Sequence, residues 1–199
     1  KKAYDAGHIE GAVFANLDTD LSGSKFDEHG IFLGRHPLPK TEDLLAALRR
    51  FGINDDTQVV AYDAHGGMFA ARLWWLLRSI GHAQVAVLDG GITAWTAGGQ
   101  TLHTDAVSPI SGNIVVKSSL TKQVNVQTVL QNLQAEVGTQ LQVIDARAAD
   151  RFRGESETID PVGGHIPGAK NRFFKDNLQA DGRFKSAQTL REDWLTLID

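Results

Sequence analysis

The chain has 199 residues, 42% of them hydrophobic, enough for one or two domains with real cores. Its formal net charge is −4, with no basic face, which speaks against a nucleic-acid partner. No run approaches the roughly 18–20 apolar residues of a membrane span, and the absence of Cys removes disulfides and thiolate metal sites from this sequence. No cofactor and no membrane partner is expected. The first residues do not read as a signal peptide, so the expected location is cytoplasmic.

The first feature in chain order is Gly7–Ala12, GHIEGA. A helix is predicted over 41–51, where Leu44, Leu45, Leu48 and Phe51 share a face. Residues 58–63 form an apolar run that reads as a buried strand. A helix follows over about 68–80, with Gly81 placed to end it. A strand at 84–88, a turn at Asp89-Gly90-Gly91 and a short helix over 92–97 complete this part. Residues 100–125 read as a polar linker around one apolar stretch, Ile114-Val115-Val116, suited to a short strand. Beyond it come a helix over 126–137, a strand over 141–145, and a helix over 190–198 carrying Leu190, Trp194, Leu197 and Ile198 on one face.

Gly164–Ala169 reads GHIPGA, 157 positions after GHIEGA, so the chain looks duplicated. The alternation of strand and helix implies an α/β fold with βαβ units and mostly parallel sheets. The two copies divide the chain into domains at 1–102 and 124–199 with a linker over 103–123. Copy two has a strand ahead of its turn that copy one lacks, and copy one continues past its helix into a strand that copy two lacks. The expectation is a window on a longer protein.

The loop Asp63-Ala64-His65-Gly66-Gly67 joins a strand to a helix, where open α/β sheets place their ligands. Its N–H groups would converge on an anion at the helix N-terminus, and a nucleophile at position 63 would stand at their focus. The residue there is Asp, itself an anion. A plain tight connection is the simpler reading, with His65 a solvated loop residue.

Tyr62-Asp63, Ala71–His82, Val87-Leu88-Asp89-Gly90-Gly91 and Trp95 resemble the first domain of tandem-domain rhodaneses, the thiosulfate and 3-mercaptopyruvate sulfurtransferases. Val143–Gly154, Gly164–Ala169 and Asp181–Ser186 resemble their second domain. The resemblance implies two rhodanese-like domains, each a parallel sheet flanked by helices. It makes Asp63 the pseudo-active-site residue of an inactive first copy and puts the nucleophilic Cys beyond Asp199. It implies ping-pong transfer of sulfane sulfur from a small anionic donor to cyanide or a thiol through a persulfide. It identifies Arg151 as the donor-binding residue, whose simpler reading is an ion pair with Asp150 or Glu155. Arg147, Asp145 and Arg72 read as structural, as do His8 and His165. His36, in His36-Pro37-Leu38-Pro39, and Asp18 match auxiliary residues of mercaptopyruvate enzymes.

One departure bears on the donor. Mercaptopyruvate enzymes carry a second Arg nine residues beyond the first, and here that position is Asp160. Thiosulfate is therefore favoured. A mercaptopyruvate sulfurtransferase, and a non-catalytic rhodanese-like binding module, are the alternatives. A Cys after the next apolar strand would speak for an enzyme, Asp or Ser for a module.

Overall fold

The computed structural model describes residues 1–136, 140–160 and 162–198. They form two compact units, Lys1–Lys122 and Gln123–Asp199.

Unit 1 contains helices α1 (Lys2–Ala6), α2 (Thr41–Arg50), α3 (Met68–Ser79) and α4 (Gly91–Ala97), and strands β1 (Val59–Ala61) and β2 (Val85–Val87). The strands pair in parallel, Val59 opposite Val85 and Ala61 opposite Val87, and α3 is the crossover that parallel pairing needs. α2 carries Glu42 and Asp43 in its first turn and Arg49 and Arg50 in its last, matching the helix dipole. Its buried Leu44 and Leu48 are one turn apart and meet Leu76, Leu77 and Ile80 from α3 and its end, with Ile53 and Val85. Leu48 and Leu77 are fully buried, each worth about 1.5–3 kcal/mol. Gly81 ends α3 at φ 85, letting His82 N–H reach back to the Leu77 carbonyl at 2.9 Å.

Residues 103–120 run along unit 1. Ile114 enters the core at 0% exposure while its N–H meets the Ile53 carbonyl at 3.2 Å. Arg49 donates from Nε and Nη2 to the Ile114 carbonyl, and Lys117 and Leu120 bond the last turn of α3. The strand suggested at 114–116 does not form, because these backbone groups are taken up by loop and helix ends rather than by β1 or β2.

Unit 2 contains α5 (Val126–Leu133), β3 (Ile144–Asp145), α6 (Ala149–Arg153), β4 (Lys170–Asn171), a 3-10 turn over Phe174–Asn177 and α7 (Ala187–Ile198). β3 and β4 also pair in parallel, Ile144 opposite Lys170. Asn125 caps α5, accepting from Thr128 N–H at 2.8 Å. The apolar face predicted for α5 is largely exposed at Val126, Leu130 and Leu133, and Val137 lies outside the described residues. On α7, Leu190, Trp194 and Leu197 are half-buried but Ile198 is exposed. Among the described residues every fully buried apolar side chain lies in unit 1.

The duplicated turn has the same construction in both units. Ala12 N–H meets the Ile9 carbonyl at 2.9 Å with Gly11 at φ 73, and Ala169 meets Ile166 at 3.0 Å with Gly168 at φ 77. A positive φ at the third position is what such a turn needs, hence Gly in both copies. His8 stacks on Tyr4 at 4.0 Å and its Nδ1 lies 2.9 Å from the Tyr4 carbonyl; His165 stacks on Phe152 at 3.7 Å with Nδ1 2.8 Å from the Phe152 carbonyl. Both histidines therefore hold a turn. Among the described residues, no helix is long and apolar enough to cross a membrane.

Candidate active site

β1 delivers the chain to Asp63, and α3 begins five residues later, at Met68 behind Gly67, which takes φ 86. The Asp63 carboxylate accepts four backbone N–H groups: His65 at 2.7 Å and Gly67 at 2.9 Å on Oδ1, Phe69 at 2.8 Å and Ala70 at 3.0 Å on Oδ2. Burial pushes its pKa up, but these four donors outweigh burial and hold it below the ordinary carboxylate range. The anion that the loop amides gather is thus the side chain of position 63 itself. The Asp63 carbonyl is held by Ile92 N–H at 3.1 Å, at the start of α4. His65 is exposed, with its ring edge-on to Phe69 at 5.2 Å.

Arg72, one turn into α3, organises the loop that carries Asp18 and His36. Its guanidinium donates to the carbonyls of Leu21 at 2.9 Å, His36 at 3.1 Å and Pro37 at 2.9 Å, and burial lowers its pKa. With its backbone fixed in this way, His36 places Nε2 3.3 Å from Asp18 Oδ1. Asp18 is 59% exposed and also faces Lys25 at 3.7 Å, so the contact is an open surface pair.

In unit 2 the end of β3 and the start of α6 present Arg147 and Arg151. Arg147 grips Asp145 through Nε at 3.1 Å and Nη2 at 2.7 Å, and also donates to the Gly164 carbonyl, tying the strand end to the repeated turn. Hydrogen bonding to Asp145 raises the Arg147 pKa, and the same bonds lower that of Asp145. Arg151 grips Glu157 through Nε at 3.1 Å and Nη2 at 2.9 Å, a bidentate fork, and Nη2 reaches Asp160 Oδ2 at 2.9 Å. Glu157 also accepts N–H from Ile159 and Asp160, each at 2.9 Å. The Asp160 N–H comes first among the groups that hold the Glu157 carboxyl down to about 2, with Arg151 and Ile159 adding to it against the opposing effect of burial.

A depressed carboxyl stabilises the fold above its unfolded pKa and loses that contribution as pH falls through the folded one. The Glu157 contribution should therefore be whole above about pH 5 and lost between about pH 4.5 and 2. Thermal unfolding of the chain followed across that window should show Glu157→Gln flattening the acid slope. An acid slope identical to wild type would remove Glu157 from the account.

Comparison with known proteins places this geometry. Residues 1–98 match the model of the rhodanese-like domain. A Pseudomonas aeruginosa protein named as a probable 3-mercaptopyruvate sulfurtransferase is 43% identical over 99% of this chain and 68% of its own length. The chain belongs to the tandem-domain rhodanese family. The thiosulfate sulfurtransferase of Gallus gallus is 32% identical, over 96% of this chain and 64% of its own. The crystal structure of SseA from Escherichia coli, presented with the 3-mercaptopyruvate enzymes, superposes with a TM-score of 0.81 at 31% identity, covering 99% of this chain and 70% of that one. This rhodanese chain spans about two thirds of the length of these relatives. The α/β class expected from sequence, a parallel pair flanked by helices in each unit, is the rhodanese fold.

Within this rhodanese chain the sequence-selected residues fall into three groups. His36 and Asp18 come together; Asp63 sits in its own amide cradle; Arg151 belongs to unit 2 with Arg147. The partners anticipated for Arg151 differ from those observed. Glu155 is taken by Arg153 at 2.7 Å, and Asp150 accepts from the Arg151 backbone N–H instead of its guanidinium. Glu157 went unrecognised as the main partner because the contact depends on the chain turning back after α6, at Gly154. The acidic spacing after Arg151 was its only signal.

Proposed function

We propose that this chain is part of a thiosulfate sulfurtransferase that moves sulfane sulfur to cyanide or a thiol. In this reading the copies are 1–102, an inactive lobe with Asp63 as its pseudo-active-site residue, and 124–199, the catalytic lobe, with 103–123 between them. The nucleophile is a Cys beyond Asp199, since the chain contains none. Its thiolate attacks the outer sulfur of thiosulfate, the sulfur–sulfur bond of the donor breaks, and sulfite leaves with the electron pair. Cyanide or a thiolate then attacks the terminal sulfur of the persulfide and releases the enzyme thiolate.

What supports this reading is the match to sulfurtransferases over nearly the whole chain; Arg151 has its fork on Glu157 and Nη2 on Asp160, so an oxyanion donor would take over contacts these carboxylates now make. Thiosulfate is a compact dianion that one such fork and a set of loop amides can satisfy. Mercaptopyruvate places a carboxylate and a ketone farther from its sulfur, and the loop offers Asp160 where a second cation would serve it. The intact protein should turn over thiosulfate faster than mercaptopyruvate in steady-state assays, and Asp160→Arg should raise mercaptopyruvate use more than thiosulfate use. Faster turnover of mercaptopyruvate by wild type would reverse the assignment. One observation favours that second reading: the 3.3 Å contact between His36 and Asp18, the auxiliary pair expected of mercaptopyruvate enzymes.

A further inference from the structure

Unit 2 ties its last helix to its sheet with charged side chains. Lys170 and Arg172 lie two positions apart on β4 and its continuation, where their N–H groups meet the carbonyls of Val143 and Asp145, each at 2.9 Å. Two positions along a strand return to the same face. On α7, Asp193 and Leu197 lie one turn apart and also share a face. The two pairs match. Lys170 Nζ donates to the Leu197 carbonyl, and Arg172 Nη2 meets Asp193 Oδ2 at 3.2 Å. Lys185 Nζ reaches the same Asp193 oxygen at 2.9 Å. The Arg172 side chain is 10% exposed, lies 5.0 Å from the Trp194 ring, and donates through Nε to Asn177 Oδ1 at 2.9 Å.

The first copy has apolar residues at these places. The GHIEGA and GHIPGA turns align Val13 and Ala15 with Lys170 and Arg172. Aligning Leu44, Leu48 and Phe51 with Leu190, Trp194 and Leu197 puts Ala47 at Asp193. Ala15 packs against the unit 1 core and Ala47 is buried. Well-packed apolar residues are often as stabilising as a desolvated ion pair, or more so. Stability alone therefore does not account for the charged set. What a guanidinium–carboxylate pair adds is a fixed direction. In copy one the chain leaving the equivalent helix, α2, forms β1 and presents Asp63.

We propose that Lys170 and Arg172 are positioning residues for sulfur transfer. Acting through Leu197 and Asp193, they fix the end of α7 on β4, and so set where the chain leaving α7 delivers its nucleophile. Asn171, between them, donates to the carbonyls of Asp145 and Arg147 at 3.0 and 2.9 Å, so the same strand also holds the end of β3. This inference rests on the reading that the nucleophile is a Cys beyond Asp199.

The test uses the intact protein and gives both positions of the pair their copy-one residues, Arg172→Ala with Asp193→Ala. This removes the pair without leaving a lone buried charge, so the melting temperature should stay near that of wild type. A displaced nucleophile should lower kcat for thiocyanate formation roughly tenfold, with KM for thiosulfate nearly unchanged. A thiolate moved off its backbone donors should also raise the pH midpoint of iodoacetamide alkylation by about 0.5–1 unit. Arg172→Lys, which keeps the charge and loses the fork, should fall between the two. Lys170→Met, which leaves the Arg172–Asp193 pair in place, should shift kcat and the midpoint in the same direction by less. If the variants melt earlier but keep the wild-type alkylation midpoint, or keep both kcat and midpoint, the residues only stabilise the lobe and the proposal is wrong. If the double variant does not fold, Lys170→Met decides in the same way. If wild type shows no turnover that iodoacetamide blocks, the reading of a Cys nucleophile fails and the positioning role fails with it.

Discussion

Arg151→Gln in the intact enzyme should lower kcat/KM for thiosulfate roughly 10–100-fold, the cost of one charge-assisted contact to the donor. Arg151→Lys should recover only part of this, because an ammonium offers a point charge where the guanidinium offers a planar fork. The surrounding charges sharpen the expectation. Removing the guanidinium also strips Glu157 of its principal cation, leaving a nearly buried carboxylate supported by backbone N–H groups and the longer contact to Arg147 Nη1 at 3.6 Å. Glu157→Gln in the same background restores neutrality without restoring a donor site. The double variant should therefore regain thermal stability and remain slow with thiosulfate. Full recovery of kcat/KM in the double variant would mean that Arg151 acts only through the stability of its loop.

Gly91→Ala should destabilise unit 1 by about 2–4 kcal/mol, combining a backbone collision with a left-handed conformation. Gly91 sits at φ 56, and a Cβ there would lie 2.3 Å from the Asp63 carbonyl oxygen. Neither side yields easily. That carbonyl is bonded by Ile92 N–H, and the Asp63 side chain is locked by four N–H groups of its loop and α3. The Asp89-Gly90-Gly91 turn and the Asp63 loop are thus one packed unit at the carboxyl ends of β1 and β2. Denaturant unfolding of the chain measures the loss. A change below about 0.5 kcal/mol, the range of surface substitutions that touch nothing special, would mean that the two loops are not coupled.

Much of this was legible in the sequence because local rules and tertiary packing agree there. The helices expected over 41–51 and about 68–80 match α2 and α3 because their apolar residues meet in one core, and Gly81 ends α3 as its type predicts. The repeat gave the duplication because the turn needs Gly at its third position in both copies. Strand 141–145 shortens to Ile144–Asp145, and the face of α5 stays open, because pattern alone does not say how much neighbouring structure covers an element. The site was legible in part. His36 and Asp18 lie 18 residues apart and meet only because Arg72 ties down the loop between them, a link that family resemblance supplied and local pattern could not. The role of Asp63 as its own bound anion and of Glu157 as the fork's partner depends on loop closure, which residue spacing does not encode.

The central claim is sulfur transfer through a persulfide on a Cys outside these 199 residues, with Arg151 holding the donor. The most direct test is thiocyanate formation from thiosulfate and cyanide, measured side by side for the 199-residue chain and for the intact protein with the proposed Cys. The account predicts only the uncatalysed rate for the chain, and for the intact protein, turnover that iodoacetamide abolishes. Thiocyanate formed by the chain alone above the uncatalysed rate would contradict it.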